Sequence, residues 1–114
     1  MIAAVVILVG ALAALARYLV TRAIAVPWGV LVVNVVGSAI GGVVLGLAER
    51  AAVGDDIRLI LITGLCGGLT TFSTFSVETI QLVTEGKLRR AALSVAGNLV
   101  LGIGAAAIGF LLAR

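Results

Sequence analysis

Four long apolar runs, each close to the length that crosses a bilayer, constrain this chain more than anything else in it. They cover residues 2–20, 29–48, 59–84 and 91–112. A hydrocarbon core about 30 Å thick takes about 20 helical residues to cross, so 114 residues hold four crossings and little besides. Hydrophobic residues make up 62% of the chain and charged residues 11%, against roughly half and a quarter in water-soluble domains. The expected fold is an all-α membrane protein, a single four-helix transmembrane domain over residues 1–114. The first run lacks a basic start and a segment to secrete after it, so it is read as a retained helix and not a signal peptide.

The same composition removes whole classes of function. Histidine is absent and the carboxylates are scattered, which takes away the usual general bases and transition-metal ligands; enzyme chemistry is not expected. Cys66 is the only cysteine and by itself forms neither an intrachain disulfide nor a metal cluster. The net charge of +3 and pI near 10.0 come from basic residues standing singly or in pairs between apolar runs, a pattern of membrane anchors and not of a nucleic-acid face.

Four crossings put both termini on one side. That side carries Arg50, Arg58 and Arg114, and the other Arg17, Arg22, Lys87, Arg89 and Arg90. Three against five is a weak bias under the positive-inside rule, and it falls to three against four if Arg17 is buried. The expectation is a chain that inserts both ways up and pairs antiparallel. Glycines separated by three residues, Gly37 with Gly41, Gly42 with Gly46 and Gly64 with Gly68, let helix backbones approach closely, and four helices with so many small faces are expected to need a partner.

The third run is the odd one. Gly64, Gly67 and Gly68 lead into Thr70, Thr71, Phe72, Ser73, Thr74, Phe75 and Ser76, the densest polarity in the chain. Backbone that leaves the helix at membrane depth survives only in protein or beside a wet cavity, and the glycine pair Gly67–Gly68 marks a place for such a break. A break frees carbonyl oxygens, which are hard ligands for a small cation. The same residues also suit an unbroken helix whose hydroxyls bond to the preceding turn. Phe72 and Phe75 share a face if helical geometry resumes after Thr71. Their electropositive edges would attract an anion weakly, as conduction requires; packing against lipid or protein is the alternative. Asn34 and Asn98 either line an ion path or join helices. Arg17 and Glu78 are read as vestibule or span-end residues that snorkel to the interface.

Together these residues resemble the Fluc (CrcB) family of fluoride channels, over essentially the whole chain. The first helix carries Gly10, Ala14, Arg17 and Tyr18, with Ala13 where a glycine is usual; the second carries Gly29, Leu31, Val33, Asn34, Gly37, Ser38 and Gly42. The most specific stretch is Gly64 through Gly68, then Thr70 through Ser76 and Glu78. The resemblance implies passive fluoride efflux, and so fluoride resistance, through an antiparallel dual-topology homodimer with two pores. It implies that Phe72 and Phe75 form an aromatic box, that Asn34 donates to fluoride, and that Ser73 and Thr74 support a polar lining. It also implies a structural Na+ at the dimer interface, held by the backbone carbonyls of Gly67 and Thr70. In the fourth helix Ser94 stands where the family has tyrosine and Asn98 where it has serine; both still donate hydrogen bonds. Gly102 matches one common form.

Two other readings share the length. A proton-coupled exporter of the small multidrug resistance type needs a buried acid in its first helix, and residues 1–20 contain none. A non-transporting assembly subunit would use the glycine faces but has no use for a broken polar span.

Overall fold

The computed structural model describes residues 1–114. It is all helical: α1 (Ile2–Ala23), α2 (Trp28–Glu49), α3 (Asp55–Leu59), a π-helical segment (Ile60–Cys66), α4 (Gly67–Leu69), α5 (Phe72–Thr84) and α6 (Leu88–Ala113). α1, α2 and α6 are each one span. The third span runs from Asp55 to Thr84 in pieces. All four are long and apolar enough to cross a membrane, which makes this a multi-pass membrane protein. Helix ends fall within a few residues of the sequence expectation. Pro27 ends the first connection at the N-cap of α2, and Gly86 turns the last one at φ 77°, a conformation that favours glycine.

The break is real but displaced. Gly67 and Gly68 are helical; the chain leaves the helix at Thr70 (ψ 155°) and Thr71 (φ −149°, ψ 123°). Two β-branched residues tolerate extended backbone well, and Thr71 then caps α5 with its side chain accepting from the Thr74 amide at 3.2 Å. Gly68 serves another purpose. A Cβ there would collide with the Gly10 carbonyl and Ala13 of α1, so this glycine lets α1 lie against the end of the first half-span. The π-helical turns leading to the break are a rare geometry that tends to occur at functional sites.

α2 and α6 form the most extensive helix pair, through glycines. A Cβ on Gly46 would fall 2.6 Å from the Phe110 carbonyl, and one on Gly109 2.8 Å from the Ala39 carbonyl. The small-residue faces are therefore used inside the chain, and they give no separate argument for a partner. A small cluster of Ala13, Val33 and Leu69, flanked by Val20, Ile40 and Leu65, packs α1, α2 and the third span beside the break. The molecule measures 48 × 30 × 18 Å. Its thinnest direction is about two helices deep at the usual 8–10 Å axial separation, so the break lies near a face.

Candidate functional site

An interrupted helix in oil must find partners for the backbone groups it frees, and here polar side chains of the other spans supply them. Asn34, on the second turn of α2, takes hold of Thr71 at both ends of its backbone. Its Oδ1 accepts from the Thr71 amide at 2.8 Å and its Nδ2 donates to the Thr71 carbonyl at 3.2 Å. The carboxamide thus pairs with extended backbone as a neighbouring strand would. Nδ2 also donates to Asn98 Oδ1 at 2.9 Å, and Asn98 Nδ2 donates to the Ser94 carbonyl at 2.8 Å on its own helix. Asn34 and Asn98 are both glue and site, since they join α2, the break and α6 while remaining on a cavity wall.

Arg17 reaches the same break from α1. Its Nη1 donates to the Gly68 carbonyl at 3.1 Å and the Thr70 carbonyl at 3.3 Å. These carbonyls lie at the C-terminal end of the first half-span, where the helix dipole favours a positive charge. The expectation of a snorkelling span-end arginine is corrected: satisfying freed carbonyls inside the protein outweighs reaching the interface. Glu78 lies six residues before the end of the third span at Thr84, with Oε1 buried and without a hydrogen-bond partner.

Against the break lies a cleft of about 320 Å³. The broken span contributes Thr70, Thr71, Phe72 and Phe75, α2 contributes Asn34 and Ser38, and α6 contributes Asn98 and Leu99. The phenyl rings of Phe72 and Phe75 stand 6.0 Å apart between centroids, tilted by 45°. No ionisable side chain lines the cleft. Its polarity consists of amides, hydroxyls and aromatic rings, a lining of partial charges that can replace some of an ion's hydration without trapping it.

Of the residues expected in a pore, Asn34, Phe72, Phe75 and Asn98 are brought together here. Ser73, Thr74 and Ser94 are not. Once α5 starts at Phe72, the 3.6-residue period carries Ser73 and Thr74 off the Phe72–Phe75 face, and both are exposed on the outside of the chain. Ser94 is 1% exposed, packed behind Asn98 with its hydroxyl 3.4 Å from Nδ2. Sequence reasoning missed Ser38, Thr71 and Leu99 as cleft residues. Two signals were present: Ser38 follows Asn34 by one turn, and Thr71 precedes an apolar helical run as an N-cap residue does.

Comparison with known proteins covers the same spans. The family described as "CrcB-like protein, Camphor Resistance (CrcB)" matches residues 4–110. A protein of Nitrobacter winogradskyi named "Fluoride-specific ion channel FluC" is 41% identical over 112 residues, covering 92% of this chain and 89% of the relative. One of the same name from Gluconobacter oxydans is 43% identical over 113 residues, covering 91% of this chain and 78% of the relative. Another, from Novosphingobium aromaticivorans, is 48% identical over 77 residues, covering 68% and 61%. With the match running from the first span to the last, the chain belongs to the CrcB family.

Proposed function

We propose that this protein is a fluoride channel that gives passive efflux, and that it works as an antiparallel pair of identical chains. The observation that carries the reading is the cleft itself. An amide-clamped break at membrane depth presents two phenyl rings, two carboxamides and hydroxyls, with no carboxylate on the wall to couple protons. The names of the relatives agree with it.

Fluoride is small and strongly hydrated; stripping a small ion of water costs of order 20 kcal/mol in the idealised limit and still several kcal/mol in real proteins. A narrow lining must supply serial donors in place of that water. The edges of Phe72 and Phe75 offer weak, positively polarised contacts. Asn34 offers amide hydrogens only in exchange for its bonds to Asn98 or Thr71. Each contact is weak enough for the ion to leave, which favours throughput over tight binding.

Two features support a second copy. Phe72 is 80% exposed although it lines the cleft, so one side of the pathway is open in a single chain. And with Arg17 withdrawn to the break, loop charge stands at three against four, close to the symmetry that lets a chain insert both ways up.

The break also fits a small hard cation between the copies. The amide that would close on the Gly67 carbonyl in a continuous helix, that of Thr71, donates instead to Asn34, and Gly67 is exposed. The Thr70 carbonyl accepts from Arg17 at 3.3 Å and retains a second lone pair. Gly67 and Thr70 of two chains would hold a Na+ through these oxygens, and the ion would tie the two broken spans together.

The deciding experiment is efflux from liposomes holding only this purified chain, with fluoride and chloride compared. Fluoride release without chloride release is expected. Release of neither, or of both alike, would sink the reading.

A further inference from the structure

Most hydroxyls around the break are already engaged. Thr70 Oγ1 donates to the Cys66 carbonyl at 2.8 Å, and Thr71 Oγ1 accepts from the Thr74 amide and meets Ser73 Oγ at 3.3 Å. Along α5, Ser76 and Thr79 donate to carbonyls one turn back at 2.9 and 2.7 Å. The amide hydrogens of Asn34 and Asn98 are directed at protein oxygens as well. Ser38 is the exception on the cleft wall. Its hydroxyl makes no hydrogen bond with the chain, not even to the carbonyl one turn back that serine usually finds in a helix.

Its surroundings keep that hydroxyl open. Across from it on α6 stands Gly102, where even an added Cβ would remain 3.7 Å from Ser38 Oγ. The oxygen is not among the chain's buried, unpartnered polar atoms, a class that contains only Glu78 Oε1, so it is reached from the cleft. An O–H placed there will donate to whatever acceptor occupies the space, and a fluoride ion is a compact, fully charged acceptor.

We propose that Ser38 is an anion-binding residue of the pathway, forming a fluoride site one helical turn along α2 from Asn34. The proposal rests on the channel reading above and adds the donor that costs no existing protein hydrogen bond. Asn34 is then chiefly the residue that holds the break in shape, and Ser38 a donor the ion meets.

The test is fluoride efflux from liposomes containing wild type, Ser38→Ala, Ser38→Thr or Phe72→Ile, with gel filtration of each protein beforehand. Loss of a hydrogen bond to a charged acceptor predicts that Ser38→Ala slows fluoride release about tenfold or more. Ser38→Thr, which keeps the hydroxyl, should recover most of the rate, and all variants should elute as wild type does. If Ser38→Ala conducts at the wild-type rate while Phe72→Ile is slow, the Ser38 site is wrong and the channel reading stands. If Ser38→Ala is slow and Ser38→Thr equally so, the side chain acts through packing and the site is again wrong. Wild-type vesicles that release no fluoride would overturn both the channel reading and the site.

Discussion

At the residue scale, Asn34 and Phe72 touch the same cleft but do different work, and substitution should separate them. Asn34→Ala removes three hydrogen bonds and strands the Thr71 amide and carbonyl, at about 1–3 kcal/mol for each unsatisfied group. We expect lower flux together with a clearly lower thermal unfolding midpoint in detergent. Phe72→Ile keeps an apolar side chain at an exposed position and removes only the ring edge, so flux should fall with the midpoint unchanged. Equal stability in the two variants would show that Asn34 does not clamp the break. The aromatic pair was legible from sequence because a spacing of three is a statement about one helix. The clamp was not, because Asn34 lies 37 residues from Thr71 and 64 from Asn98, and nothing local announces either partner.

At the element scale, the third span is held open from outside by Arg17. Two charge-assisted bonds to the Gly68 and Thr70 carbonyls are worth about 1.5–3 kcal/mol each. Arg17→Gln should therefore destabilise the protein markedly. Arg17→Lys, with a single compact ammonium in place of a fork, should recover part of the loss, measured as unfolding temperature in one detergent. A midpoint unmoved by Arg17→Gln would mean that the arginine lies at the interface after all. Helix packing offers a second contrast. Gly46→Val would force a side chain into the Phe110 carbonyl and should prise α2 from α6, with a large loss of folded protein. Gly54→Ala meets nothing within 4 Å and should be silent. Similar yields of the two would contradict the packing. The existence of an interruption was readable from glycines and hydroxyls at membrane depth. Its exact place was not, because Gly67 and Gly68 looked like breakers, whereas Gly68 is packing surface against α1 and the residues that leave the helix are Thr70 and Thr71.

At the scale of the whole molecule, loop charge decides orientation, and it is nearly balanced. Substituting lysine at Ala23 and Ala25, both exposed, would raise the side opposite the termini from four basic residues to six against three, enough for a defined bias under the positive-inside rule. Such chains should insert one way up by cysteine labelling and, lacking an inverted partner, should give little fluoride efflux alone. Full efflux from a uniformly oriented population would end the antiparallel reading. The flat shape and the exposed Phe72 belong to the same scale, since a slab about two helices deep with a half-open cleft on its face completes a pathway only against a second surface.

By itself the sequence settled what depends on composition and on near neighbours along the chain. Lipid cannot satisfy a free backbone, so four apolar runs of bilayer length had to be helices, and Phe72 with Phe75 had to share a face once helix resumed. The family resemblance implied Ser73, Thr74 and Ser94 as pore residues, but which way a hydroxyl turns depends on where its helix begins and what packs against it. Only the tertiary structure sent Arg17 inward, joined Asn34 to Thr71 and Asn98, and left Ser38 without a partner. Those outcomes come from donors and acceptors competing across distant spans, a contest whose winner is set by three-dimensional reach and not by order along the chain.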